Sequence, residues 1–552
     1  MTDAANAALA HLADGYWTAQ LAAEPTEAHI LGRTEYAGAY ENATRAHEDE
    51  RIAELRRFAA GAAALTNLSD DDTVTQAVII TDATNRADML EARLSEIGAD
   101  PIFGTQTMAP TFFSMFNVPD ADVAEAMVSK LEGLGQWFGD FGARQREGIT
   151  HGRVSARFAI EATIDQLDAY LAGSPDADPI VAAIQAPESV DSPAWRDRLR
   201  DAVAKHVRPG MEFYRDALAT ALPEGRPDAQ AGLGSLSDGA AAYATTLRFF
   251  TTTDMSAQEI HEVGLAQIEK LAGEYRDLGA RELGTSDVGE IFERMRTDPA
   301  LHFQTAQQLV DASTAALSKA WAAMGDWFEV LPQAPCAVEG VTTGAKAFYY
   351  PPAPDGSRGG TFFVNNADPT SWGTFELEAM AYHEGVPGHH LQLAIAGELP
   401  DTVPDVRKFA GFAAYAEGWG LYSERLADEM GLYTTGIDRL GMLSADSMRA
   451  CRLVVDTGLH ALGWSRRQAV DYMVANSPLT EGVCGPEIDR YIVYPGQACS
   501  YMIGRLEILR MRAAAQARQG SAFDIKTFHS AVLDSGLLPL NVLNNVVSRR
   551  LP

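Results

Sequence analysis

The feature that most constrains this chain is helical periodicity. Apolar residues recur at three- and four-residue spacing over almost the whole length, which calls for amphipathic helices packed on one another. In the first half the pattern is Ala-rich and predicts helices near 43–66, 121–138 and 194–220. Pro, Gly and Ser gather at 173–193 and 222–238, marking loops or a boundary between two halves. A helix over 256–281 opens on Ser256 as N-cap with Glu259 at its N3 position. Further helices are expected near 374–386, 405–429, 438–462, 465–475 and 484–517. The pattern changes only near 337. The runs Ala337–Tyr350 and Thr361–Asn365 are rich in β-branched and aromatic residues, with the turn Pro351-Pro352-Ala353-Pro354-Asp355-Gly356 between them. A small antiparallel sheet is expected there, in a mainly α fold.

With 552 residues, 46% of them apolar, the chain can bury a sizeable core. We treat 1–552 as one catalytic unit, with a helical N-terminal half over 1–225 and a second half over 235–552 that holds the site. The net charge of -31 argues against nucleic acid and anionic membranes as partners. No stretch approaches the roughly twenty apolar residues of a membrane span. The start, Met1-Thr2-Asp3-Ala4-Ala5-Asn6, lacks the basic and apolar regions of a signal peptide. A cytoplasmic location is therefore expected. Cys336, Cys451, Cys484 and Cys499 form no CxxC pair and are read as free thiols.

The chemistry concentrates in His383-Glu384-Gly385-Val386-Pro387-Gly388-His389-His390. In HExxH helices two histidines at i and i+4 bind zinc, and the Glu after the first activates water. Here position 387 is Pro, and the next histidines stand at i+6 and i+7. On an ideal helix i+7 returns to the first face, so His390 is the preferred second ligand and His389 an orienting group. Pro387-Gly388 should break the helix, however, which leaves either histidine open. The bland alternative is a polar surface cluster. Catalytic zinc takes three protein ligands, and Glu417 in Ala414-Tyr415-Ala416-Glu417-Gly418-Trp419 is the candidate third. Glu424, seven residues on, would ligate instead or hold a ligand histidine.

Glu384 is the expected general base. The oxyanion needs a donor, for which Tyr491 ranks first, then His460 and Tyr501, with Tyr494 also considered. Asp456 could orient His460 across one helical turn. The strand Thr361–Asn365 could pair with extended substrate backbone. Lys346, Arg358 and Arg490 are candidates for binding a substrate carboxylate, and the ordinary reading of each is a surface cation.

The segments HEGVPGHHLQ, AYAEGWGLYSERL, RLVVDTGLHALGWSRRQAVDYM and RYIVYPGQACSYMIGRLEI together resemble the domain-of-unknown-function 885 family, clearly over 235–550. By its motif that family is grouped with gluzincin-type peptidases such as angiotensin-converting enzyme and thimet oligopeptidase. The resemblance implies a large helical zincin-like metallopeptidase fold with a deep cleft, the small sheet beside the zinc helix, and Zn2+ as cofactor. It also implies ligand, base, ligand and ligand roles for His383, Glu384, the Gly388-His389-His390 stretch and Glu417. Arg490-Tyr491 resembles a pair that supplies a transition-state tyrosine. The expected activity is zinc-dependent hydrolysis of small peptides. A hydrolase of a non-peptide amide or amino-acid conjugate, and a helical binding protein with a vestigial metal site, are the alternatives.

Overall fold

The computed structural model describes residues 2–354, 356 and 358–552, so Met1 and the Asp355 of the expected turn lie outside the described residues. The chain divides into two compact units, residues 1–67 with 82–242, and residues 68–81 with 243–552. The candidate site lies wholly in the second.

The first unit is helical. Its longest helix, Ala121–Thr150, opens on Asp120, whose carboxylate caps the Val123 amide, and it runs a dozen residues past the stretch expected from sequence. The expected helix over 194–220 is instead two, Pro193–Ala202 and Arg208–Ala221, joined by a π-helical turn at Val203–Val207. Pro209 explains the join, because it has no amide to close the ordinary ladder.

In the second unit α1 (Ala257–Glu282) begins with the expected capping box between Ser256 and Glu259. The helix of the histidine motif is short: α2 (Glu376–Glu384) stops at the second motif residue, and α3 (His389–Gly397) restarts at the seventh of the motif's eight. The expected 405–429 helix is Asp405–Phe409 followed by α4 (Ala413–Glu429). Next comes α5 (Gly436–His460), buried along most of its length. The expected 484–517 helix is broken at Tyr494–Cys499 into α6 (Glu481–Val493) and α7 (Ser500–Gln519).

The sheet differs from expectation. The run Ala337–Tyr350 is two strands, β1 (Cys336–Val341) and β2 (Ala347–Tyr350), which do not pair with each other. Both flank β3 (Gly360–Asn365): β1 runs parallel to it and β2 antiparallel, so the sheet is mixed rather than antiparallel. The central place of β3 follows from its residues. Phe362 and Val364 are fully buried, and a strand buried on this scale needs ladder partners on both edges. β3 therefore has no free edge for a substrate strand, contrary to the reading of Thr361–Asn365. No described helix is long and apolar enough to cross a membrane. All four cysteines are unpaired.

Candidate metal centre

The break between α2 and α3 decides which side chains meet. The Val386–Pro387 peptide is cis, and the Pro387 carbonyl takes two hydrogen bonds from α4, from Trp419 Nε1 at 2.8 Å and Ser423 Oγ at 3.1 Å. The linker is thus fastened to the helix that carries Glu417 and Glu424. A Cβ at Gly388 would stand 1.9 Å from the His383 carbonyl oxygen, so only glycine lets the chain fold back this closely. Gly420 does the same from the other side. A Cβ there would lie 2.7 to 3.0 Å from three atoms of the His383 ring.

Within this frame His383 Nε2 and His389 Nε2 each lie 3.4 Å from the same oxygen, Glu417 Oε2. One ligand atom from each of His383, His389 and Glu417 falls within 4.8 Å of the others. The two rings are nearly perpendicular, with centroids 4.7 Å apart. His383 Nδ1 is held at 2.8 Å by Glu424 Oε1, a carboxylate that is itself buried. This is how metal-binding imidazoles are commonly oriented. His389 Nδ1 is buried with no hydrogen-bond partner.

Sequence reasoning preferred His390, and the structure places it elsewhere. Its Nδ1 bonds the Tyr349 hydroxyl of β2 at 2.8 Å, and its Nε2 bonds the Ala334 carbonyl at 3.0 Å. Burial lowers its pKa to about 4, so it is a neutral packing residue. The i+7 spacing returns to the first face only along one continuous helix, and α2 ends before the count is complete.

The charges fit a cation. Glu384, Glu417 and Glu424 surround two imidazoles, while Arg449 lies beside them with Nη2 3.7 Å from Glu424 Oε1 and Arg505 also acts on Glu424. Burial works to lower the pKa of His383, but the hydrogen bonds with Glu417 and Glu424 outweigh it and push it up to about 9. Burial likewise opposes ionisation of Glu417, yet both histidines hold it well below the usual carboxylate range. A site that draws a proton this strongly has an excess of negative charge. Two imidazole nitrogens and one carboxylate oxygen form the donor set that zinc favours. Glu384 is buried and makes no hydrogen bond or ion pair with any described residue, which leaves its carboxylate available beside the cluster.

The candidate oxyanion donors separate. Tyr501, on α7, lies along His383 with ring centroids 6.4 Å apart, and its hydroxyl makes no hydrogen bond to a described residue. Tyr491, ranked first, has its hydroxyl committed: it donates to Glu487 and accepts from Arg452 Nε at 2.8 Å. His460 Nε2 bonds the Tyr491 carbonyl, and its ring stacks on Tyr243. Asp456 takes hydrogen bonds from the Tyr243 hydroxyl, the Gly496 amide and the Cys499 thiol, and burial raises its pKa to about 7. Tyr494 is partly exposed, against Phe250. Lys346 pairs with Glu376 at 2.6 Å, Arg358 bonds the Pro351 and Gly359 carbonyls, and Arg490 bonds Gln497.

Sequence reasoning missed Arg449 and Arg452. The signal was there: Arg449-Ala450-Cys451-Arg452-Leu453-Val454-Val455 sets two arginines three residues apart in a run otherwise apolar and buried.

The fold and site together define a mainly helical protein with a His–His–Glu cluster in its second unit. Residues 25–547 match the family described as bacterial protein of unknown function (DUF885), and the chain belongs to it. It is similar to a predicted lipoprotein from Colwellia psychrerythraea whose crystal structure superposes with a TM-score of 0.91, at 25% identity over 99% of each chain. It is also similar to a predicted lipoprotein of unknown function from Shewanella oneidensis, with a TM-score of 0.76 and 18% identity, over 97% of this chain and 99% of that one. No curated protein matches the chain.

Proposed function

We propose that this chain is a zinc-dependent hydrolase of amide bonds in small peptides, of the gluzincin type. The observation that carries the reading is the meeting of His383, His389 and Glu417 beside a Glu384 carboxylate that makes no hydrogen bond or ion pair with a described residue. These three residues would hold the metal, and Glu424 would orient His383. Bound there, zinc would polarise the scissile carbonyl and ease deprotonation of a water molecule. Glu384 takes the proton from the attacking water on a carboxylate oxygen and later delivers it to the leaving nitrogen. Tyr501, rather than the committed Tyr491, donates its hydroxyl proton toward the carbonyl oxygen as charge builds there. The reading keeps the base and ligands intact, which speaks against a vestigial site.

The Colwellia psychrerythraea structure is described as that of a lipoprotein, and this favours an extracytoplasmic location over the cytoplasm expected from sequence. Cell fractionation would decide between them. The function itself is tested by metal analysis of the purified protein. Near-stoichiometric zinc is expected in the wild type and in His390→Ala, and loss of zinc in His389→Ala and Glu417→Ala. A wild type that holds no metal and takes up no added zinc would overturn the proposal.

A further inference from the structure

A second set of side chains adjoins the same site and carries the opposite charge. Tyr501 lies along His383 on one hand and under two guanidiniums on the other, with Arg452 Cζ 4.4 Å and Arg449 Cζ 5.8 Å from its ring centroid. Both arginines come from α5 and both are buried, in a chain whose net charge is -31. Their counter-charges are shared with other groups: Asp446, which acts on Arg449, also serves Arg425 and Arg505. Glu487 serves Arg452, with Nη2 at 3.0 Å, and also Arg490, with Nη1 at 3.4 Å. Glu424 is shared between Arg449 and His383. Arg452 Nη1 and Arg449 Nε are buried and have no hydrogen-bond partner. Buried cations and donors are expensive to leave unpaired, so a fold that keeps two in one place needs an anion to meet them.

We infer that Arg449 and Arg452, gathered on Tyr501, bind a carboxylate of the substrate and so restrict it to peptides with an acidic group close to the cleaved bond. The inference rests on the hydrolase reading of the same site. Guanidinium forks match a carboxylate's two oxygens, and such charge-assisted pairs discriminate strongly in a buried setting. The site then has two electrical ends: carboxylates where a cation and a carbonyl oxygen would lie, guanidiniums where an anion would lie. Reach sets the spacing. Tyr501 touches both ends, and an extended residue spans at most ~3.6 Å, so about one or two residues separate the scissile carbonyl from the carboxylate. That carboxylate is the C-terminus of the peptide or an acidic side chain near it.

The test is binding without turnover, in a Glu384→Gln protein. Three probes are compared by calorimetry: N-acetylated tetra-alanine with a free C-terminus, the same peptide with a C-terminal amide, and an amidated version ending in Glu. At least ~10-fold tighter binding of the free acid than of its amide is expected, since a charged hydrogen bond is worth about one decade in affinity. Recovery of affinity by the Glu-ending amide would assign the subsite to acidic side chains as well. Adding Arg449→Gln should shrink the acid–amide difference to less than ~3-fold, and Arg449→Lys should restore part of it. Arg449 is the variant of choice because Arg452 is tied to Tyr491 and Glu487, and its loss could disturb folding. Equal binding of acid and amide, or binding of neither, would overturn the inference even if the wild type holds zinc and cleaves peptides. Discrimination retained in a protein that takes up no zinc would sustain the anion subsite while the hydrolase reading fell.

Discussion

Glycine at position 420 lets the His383 imidazole lie against α4, and this has a consequence that ordinary helix energetics would miss. In a helix interior Gly→Ala normally stabilises by about 0.5–1 kcal/mol. At Gly420 the added carbon would sit 2.7 Å from the His383 ring, and the ring has Glu424 and Glu417 fixing it from either side. Gly420→Ala is therefore expected to keep its helix content and lose its zinc; circular dichroism beside metal analysis checks both, and full zinc retention would contradict the geometry. Glu424→Gln tests the orienting bond on its own. The amide can still accept from Nδ1 but carries no charge, so zinc affinity should fall by about 10- to 100-fold, read by competition with a chelator. How much of the site was legible follows from the same residues. His383, Glu384 and Glu417 could be found because their spacing is local or falls on a well-formed second helix. The choice between His389 and His390 could not, because it turns on where α2 ends and how Pro387 is fastened to Trp419 and Ser423. That is a tertiary fact with no trace in periodicity.

Helices were readable where caps announce them, as at Ser256, and unreadable where a long apolar pattern hides an interruption. The run expected over 484–517 keeps its periodicity through Tyr494–Cys499, yet Gly496 turns into the left-handed region at φ 83° and divides it. The division starts α7 at Ser500, and α7 carries Tyr501 to His383. It is seated against α4 at a contact of two glycines: a Cβ on Gly504 would stand 1.9 Å from the Ala414 carbonyl oxygen, and one on Gly418 2.5 Å from Gly504 itself. Both obstacles are backbone, so no side chain can move aside. Gly504→Ala should destabilise the protein by about 1–3 kcal/mol or more and lower the urea midpoint. Gly273, inside α1 with nothing within 4 Å of its would-be Cβ, is the matched control. There the same substitution should stabilise by about 0.5–1 kcal/mol. Equal effects at the two positions would show that the α4–α7 contact is looser than drawn. The sheet obeys a similar logic. β1 and β2 were legible as β-forming sequence, but their pairing with β3 and not with each other depends on which strand can be buried on both sides.

At the scale of the molecule, acidification works in two directions. Protonating surface carboxylates relieves the self-repulsion of a chain at -31, which favours the folded state as pH falls. Buried neutral histidines oppose it, and His529 in the second unit is the clearest. It is fully buried, its Nδ1–H donates to the Trp327 carbonyl at 2.9 Å, and its Nε2 accepts from the Tyr422 hydroxyl at 2.9 Å. Burial lowers its pKa to about 3, with Arg512 adding to the effect. An unfolded histidine titrates near 6.5. Between those values the unfolded chain binds a proton that the folded one refuses, so stability is full above about 6.5 and drains as pH falls toward 3. One proton corresponds to about 1.4 kcal/mol per pH unit, or about 2 kcal/mol lost by pH 5. His29 in the first unit, stacked on Phe116 and lowered by burial to about 4, drains stability over the same range. His529→Gln removes one of the two titrations. Its urea stability at pH 7 should be lower than wild type, because the Trp327 and Tyr422 bonds are made less well. Its decline from pH 7 to pH 5 should nonetheless be shallower by about one proton. The slope carries the argument, since a packing defect alone would lower both ends equally. Parallel pH dependences for the two proteins would mean that His529 does not set the acid limit and that relief of charge repulsion is opposed elsewhere.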